Sequence, residues 1–292
     1  MPYHASLIVF PALNITALIF MIGTYVVIGL GFFPDGRLMQ DSITNVFATY
    51  KLQIEPSEWV FVLWILIYTY QLLWIMYTLG TILCSTGSGF RGFPSYMDPQ
   101  HIPNTVVYAS IVCSVLNSLW VVLFSHHMIV SACVLLFITT PLQYLMIGTQ
   151  LVSLSKATPE LESVDRSLDV WVTRICMIEG MSLMATLSTT TTFFNFGMVY
   201  RYTLHLDPMA TAILVQLMFL IGLLTWFVLD IKIMDKFTRY IVSPYIVTCL
   251  VQLAIVTNIP VTQALSYGLL SVYVFMTLIK CSILVHRHRN SE

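Results

Sequence analysis

The sequence predicts an all-α integral membrane protein, a bundle of about eight transmembrane helices forming a single polytopic domain over residues 1–292. Composition is the first reason. The chain is 58% hydrophobic and 9% charged, with a mean hydropathy of +0.83, whereas soluble domains carry about 25% charged residues. So few charges cannot coat a soluble fold of this size. The second reason is that the apolar residues gather into runs of spanning length, about 20 residues each. The third is the lack of ten-residue alternating segments, which a membrane β-barrel requires. Backbone groups in lipid must then be satisfied within each segment, which means helices.

Eight stretches qualify in order: Leu7–Phe33, Trp59–Leu83, Thr105–Ser125, Met128–Leu154, Val170–Tyr200, Met209–Leu229, Ile241–Ile259 and Thr262–Val285. Two breaks are short, Ser125-His126-His127 and Asn258-Ile259-Pro260, so seven spans is the competing count. The connection Pro34 to Glu58 is the longest and carries Asp35, Arg37, Asp41, Lys51, Glu55 and Glu58. Cys84 to Asn104 contains Gly87, Gly89, Gly92, Pro94, Pro99 and Pro103 and reads as irregular. Ser155 to Asp169 is polar and acidic.

With eight spans, Arg91, Lys156, Arg166, Lys232, Lys236, Arg239, Lys280, Arg287 and Arg289 collect on one side, against Arg37, Lys51 and Arg201 on the other. Positive charge stays in the cytosol, which predicts both termini there. No cleavable signal is evident, because residues 1–6 lack a basic region. Asn14-Ile15-Thr16 lies inside an apolar run, out of reach of glycosylation enzymes.

The six cysteines have no CxxC or metal-type spacing. Cys113, Cys133, Cys176 and Cys249 read as small buried residues, and Cys84 and Cys281, at segment ends, as candidates for palmitoylation. A formal charge of −1 gives no argument for nucleic acid. There is no HExxH, GxSxG, intramembrane aspartate pair or P-loop. The expectation is a non-enzyme with no cofactor and no metal.

Pro56, Trp59, Phe61, Trp64, Ile67 and Tyr68 fit P-x-x-W-x-F-x-x-W-x-x-I-Y, and Leu116-Asn117-Ser118-Leu119-Trp120 with Phe124 fits L-N-x-x-W-x-x-x-F. Together, in this order, they resemble the second- and third-helix signatures of the tryptophan-rich sensory protein/translocator (peripheral benzodiazepine receptor) family, in its long form. The resemblance covers mainly residues 55–125. It implies a helical bundle that binds apolar planar ligands such as porphyrins or sterols, with helices added beyond five. The chain departs from the family's later helix, having Met181 and Thr189 around Ala185 where a tryptophan and an asparagine are usual.

Candidate ligand-binding residues follow. Trp64, Tyr68 and Gln71 share one face of the second helix, and Asn117 and Trp120 lie in the third. They read either as a pocket whose few polar groups orient a ligand or as ordinary packing with an interhelical amide bond. Glu179 lies nine residues into its span, roughly 13–14 Å deep, and Ser182, Thr186 and Thr190 continue its face. That stripe reads as ligand- or proton-handling, or as a carboxyl bonded to a neighbouring helix with threonines bonding their own backbone. Arg174 is expected to snorkel to the interface, toward Asp169 or a lipid phosphate. Gln143, Gln216 and Gln252 read as interhelical hydrogen bonds. His126 and His127 read as an exposed polar turn. Lys280 to Arg289 reads as a basic membrane anchor, and Asp230, Lys232, Asp235, Lys236 and Arg239 as a mixed-charge turn near solvent.

The function these residues predict is binding or translocation of a small lipophilic ligand between the second, third and fifth helices, without covalent chemistry. The alternatives are a structural or accessory subunit of a membrane complex and, against the charge asymmetry, a serpentine receptor. Partners are membrane lipid, a small lipophilic ligand, and a second copy or a membrane-complex subunit.

Overall fold

The computed structural model describes residues 3–29, 41–83, 101–258 and 263–289, and among these the regular structure is entirely helical. Helix α1 is Tyr3–Gly29, α2 is Ile43–Thr49, and α3 is Val62–Leu83 behind a single 3-10 turn, Glu58–Phe61. Helix α4 is Asn104–Ser125 and α5 is Ile129–Ser163. Two continuous rods follow, α6 (Ser167–Thr203) and α7 (Pro208–Ile233). A short α8 (Asp235–Thr238), α9 (Ser243–Asn258) and α10 (Gln263–Arg289) complete the chain.

Helices occupy all eight predicted stretches. Among the described residues, α4, α5, α6, α7 and most of α10 are long and apolar enough to cross a membrane, while Ala12–Val26, Val62–Thr78 and Ser243–Asn258 are shorter apolar helices. Arg37, Cys84, Arg91, the Gly/Pro-rich stretch through Pro99, and Ile259-Pro260 lie outside the described residues.

Tight connections make neighbours antiparallel. At the α4–α5 break His127 takes φ 59°, and the N–H of Met128 donates back to Leu123 O at 3.0 Å. Asp165 (φ 58°) and His205 (φ 55°) turn the α5–α6 and α6–α7 connections the same way. Histidine and aspartate tolerate this left-handed region better than β-branched residues do. His127 is not a free turn residue, because its Nε2 lies 3.0 Å from Asp41 Oδ2.

Helix α4 packs between α1 and α5, α3 bridges α1 and α6, and α6 also meets α5, α7 and α9, with α10 outside α9. The most apolar window of α6 is 67% buried, against 22% for α10, which makes α6 the axis of the bundle. Its small residues allow this. A Cβ on Gly180 would lie 2.9 Å from Tyr70 Cβ, and one on Gly197 would lie 2.8 Å from Val215 Cγ2. Close approach over small residues is how helices associate in lipid, where no hydrophobic drive separates them from acyl chains.

Polarity runs opposite to that of a soluble protein. Phe137, Leu145, Phe275 and Leu278 face outward, while Gln143, Gln150, Asn195, Gln216 and Gln252 are buried. Asn14, inside the first apolar run, accepts from Ser110 Oγ and joins α1 to α4. Gln216 Nε2 donates to Ser266 Oγ at 2.6 Å and Gln252 Nε2 to Ser266 O at 3.1 Å, as expected of interhelical amides. Cys113 and Cys133 are buried, Cys176 and Cys249 only half-buried, and Cys281 exposed.

The segment from Asp41 to Ser57 closes one end of the bundle. The N–H of Asp41 donates to Ser125 O, Tyr202 Oη donates to Lys51 O, and the N–H of Ser57 donates to Ala254 O. At the opposite end Arg287 pairs with Asp235, and Arg239 Nη2 sits 3.5 Å from the same carboxylate.

Candidate functional site

Helices α1, α3 and α4 bring Tyr25, Trp64, Tyr68 and Trp120 together. Tyr25 and Trp64 have ring centroids 4.8 Å apart, Tyr25 and Tyr68 5.6 Å, Trp64 and Tyr68 6.0 Å, and Tyr25 and Trp120 6.3 Å. Trp120 in turn stacks on Phe124 at 5.3 Å. The two signature segments are thus linked through Tyr25 on α1, which touches Trp64 and Tyr68 of the first and Trp120 of the second. Tyr25 completes the cluster and carried no sequence signal beyond its place in the first apolar run.

Two features of the cluster bear on what it can do. Trp120 is 2% exposed, yet its Nε1 has no hydrogen-bond acceptor. Leaving a buried donor unsatisfied costs about 1–3 kcal/mol, and the Tyr25 and Tyr68 hydroxyls beside it, like the Trp226 indole elsewhere in the bundle, are buried without a hydrogen-bond partner as well. Trp64 and Tyr68, by contrast, are only half-buried. The cluster therefore grades from a buried ring at Trp120 to half-buried rings at Trp64 and Tyr68, whose phenol oxygen is itself buried.

The other sequence-predicted residues divide. Asn117 is buried, but its Nδ2 donates to Cys113 O on its own helix at 2.8 Å, so that bond does not link helices. Gln71 is an interhelical link: Oε1 accepts from Trp74 Nε1 at 2.7 Å and Nε2 donates to Gly180 O at 3.4 Å. Thr186 donates to Ser182 O and lines a separate cavity of about 50 Å³, with Tyr144, Thr189, Trp226 and Thr248 from α5, α6, α7 and α9. That space is enough for water rather than for a planar ligand.

Glu179 turns away from the aromatic cluster. Its Oε1 accepts from the N–H of Val242 at 2.7 Å and its Oε2 from the N–H of Ser243 at 3.2 Å. Those amides open α9, whose first N–H groups have no intrahelical partner, and a carboxylate there also meets the positive end of the helix dipole. Glu179 thus makes the bond to a neighbouring helix that one of its two readings called for, with backbone amides as the partners. Just before Glu179, helix α6 also departs from regular α geometry, being π-helical from Thr173 to Ile178 after an α-helical start at Ser167–Val172.

Two further expectations are corrected. Asp230 and Lys280 do not belong to a solvated turn and a surface anchor. Lys280 Nζ sits 2.7 Å from Asp230 Oδ2, with side chains 3% and 0% exposed. Tyr245 Oη and Thr238 Oγ1 donate to the same carboxylate at 2.6 Å each, and Lys280 also donates to Thr238 O. The sequence did hold a signal, a lysine inside an apolar run, which implies a buried partner. Gln143, expected to join two helices, is 0% exposed with neither amide atom paired.

No group of histidine, cysteine or carboxylate side chains suited to a metal ion occurs among the described residues. The family model described as TSPO-like protein matches residues 11–229, from α1 to the π-helical turn of α7. No curated protein and no solved structure matches the chain.

Proposed function

The chain belongs to the TSPO-like protein family, and from that premise we propose that it binds or translocates a small lipophilic molecule at the Tyr25–Trp64–Tyr68–Trp120 cluster, without covalent chemistry. It is an integral membrane protein by its apolar helices and its family. All eight apolar helices then cross the bilayer, with both termini in the cytosol. Arg166, Arg174, Lys236, Arg239 and Arg287 then lie at the cytosolic end, with Lys51 and Arg201 opposite.

The observation that carries the binding role is the sealed, acceptorless indole N–H of Trp120 beside a half-buried aromatic edge. A ligand with a planar apolar body and one hydrogen-bond acceptor answers both features. Its body slides between rings that already tolerate tilted and stacked contacts, and its acceptor receives the Trp120 proton. Trp64 and Tyr68 admit it from the acyl-chain region, where a lipophilic molecule is concentrated. Asn117, one turn from Trp120, shapes the inner wall. Gln71, Glu179 and Thr186 act at a distance, holding α6 against α3 and α9.

Porphyrins and sterols, the ligands that the family implies, are the natural probes. Purified protein titrated with protoporphyrin IX and with cholesterol is expected to bind at least one of them saturably. Trp64→Ala and Asn117→Ala should weaken that binding. Affinity unchanged in both variants, for every ligand that binds, would overturn the placement of the site.

A further inference from the structure

A second site lies at the Arg287 end of the bundle and does not depend on the aromatic cluster. Between α5, α6 and the α8–α9 connection is a cavity of about 270 Å³. Its floor is apolar and buried, formed by Leu151, Leu154, Ile178 and Ile241. Arg174 and Lys236 stand at its rim with Ser155, and no carboxylate is among its lining residues.

Arg174 is held in an unusual way. Its guanidinium carbon lies 5.2 Å from the centroid of Trp171 and 5.1 Å from that of Tyr240, and those two rings meet edge-on at 5.1 Å. Cation–π contact fixes the group while leaving its N–H donors available, and a guanidinium presents those donors as a planar fork suited to an oxyanion. Glu162 is the carboxylate whose charge acts on Arg174, without an ion pair between them, and Asp169, nearer in sequence, is occupied. Arg166 reaches it at 2.6 Å and Tyr77 Oη donates to it at 2.8 Å. Among the described residues neither Arg174 nor Lys236 forms an ion pair with protein, a state shared by Lys51, Lys156, Arg201 and Lys232, whereas Arg166, Arg239, Lys280 and Arg287 are paired. Trp171 is 37% exposed, as befits an aromatic residue at the membrane–water boundary.

We propose that this cavity binds the phosphate of an anionic amphiphile, with Arg174 and Lys236 holding the phosphate, Ser155 donating a hydroxyl, and the Leu151–Ile241 floor taking the first carbons of the attached chain. An apolar floor under two unpaired cations selects a molecule that is charged at one end and greasy just behind it. A free phosphate satisfies only the rim, and a zwitterionic lipid brings a positive charge back toward Arg174.

The test uses full-length protein in detergent, with native mass spectrometry reading lipid adducts. Probes are phosphatidylglycerol, phosphatidylcholine and inorganic phosphate. Retention of phosphatidylglycerol should exceed that of phosphatidylcholine and fall about fivefold in each of Arg174→Gln and Lys236→Gln, the loss expected for one basic residue near a lipid head group. The exposed neighbour Lys232→Gln should leave it unchanged. Lys236 is itself exposed, so that variant reports even if Arg174→Gln fails to fold. Full competition by inorganic phosphate at equal concentration would keep the anion site but assign it to a soluble phosphate. Equal retention of the two lipids, or no change in Lys236→Gln, would overturn the proposal.

Discussion

Lys280 and Asp230 form an ion pair 2.7 Å long with side chains 3% and 0% exposed, joining the end of α7 to the interior face of α10. Tyr245 and Thr238 saturate the remaining carboxylate lone pairs. Removing one partner strands the other charge, at a cost of about 3–5 kcal/mol. Lys280→Met should therefore lower the thermal unfolding temperature of the purified protein sharply. Replacing both, Lys280→Met with Asp230→Leu, should recover most of the loss. A single variant as stable as the parent would show that the pair contributes nothing.

Glu179 and the start of α9 give a second prediction. Glu179→Gln keeps the size but sets an NH₂ donor against a backbone donor where the second carboxylate oxygen stood. A loss of about 1–2 kcal/mol is expected from one hydrogen bond and the dipole contact. Affinity for a ligand at the aromatic cluster should change little, because Glu179 faces α9. Thermal unfolding and ligand titration on the same preparation separate the two effects. Intact stability with abolished ligand binding would place Glu179 in the binding site instead.

Gly180 and Gly197 test the packing of α6. An alanine methyl at 180 meets Tyr70 Cβ at 2.9 Å, an atom fixed to the α3 backbone, whereas one at 197 meets Val215 Cγ2 at 2.8 Å and Leu52 Cδ1 at 2.9 Å. Side-chain tips can move and a Cβ cannot. Gly180→Ala should therefore cost more than Gly197→Ala, within the ~1–3 kcal/mol usual for overpacking. Unfolding temperatures give the order, and the reverse order would contradict the α3–α6 contact.

Trp120 supplies the fourth. Trp120→Phe removes the unpaired N–H and little of the stacking surface, so the free protein should be as stable as the parent or more so. Ligand affinity should fall by about 2- to 13-fold, the range for one hydrogen bond of ~0.5–1.5 kcal/mol. Opposite signs for stability and affinity are what distinguish a waiting donor from a packing residue. Unfolding and titration of the variant beside the parent check both.

Much of this was legible in the sequence. Runs of apolar residues placed the eight long helices but not the short α2 and α8, which fall in stretches read as connections, and the two aromatic signatures pointed to rings that gather around Tyr25. The spacing of Trp64, Tyr68 and Trp120 could not reveal Tyr25, because contact between α1 and α3 is a tertiary fact with no periodicity of its own. Glu179 was conspicuous for its depth, but its partners are the amides of Val242 and Ser243, and backbone donors leave no mark in a sequence. Asp230 and Lys280 were read as surface charges because each lies near the end of an apolar run. Fifty residues separate them, so the lysine's place in an apolar run signals a buried partner without saying which carboxylate it is. Gln143, Gln216 and Gln252 looked alike in sequence. Two of them find Ser266 on α10 and the third finds nothing.

The most direct measurement is an experimental structure of the protein in lipid with protoporphyrin IX or cholesterol, whichever binds. The account predicts ligand density against Tyr25, Trp64, Tyr68 and Trp120, with an acceptor atom within hydrogen-bond distance of Trp120 Nε1. Ligand density elsewhere, with these four rings in their present contacts and the indole proton still unpaired, would contradict it.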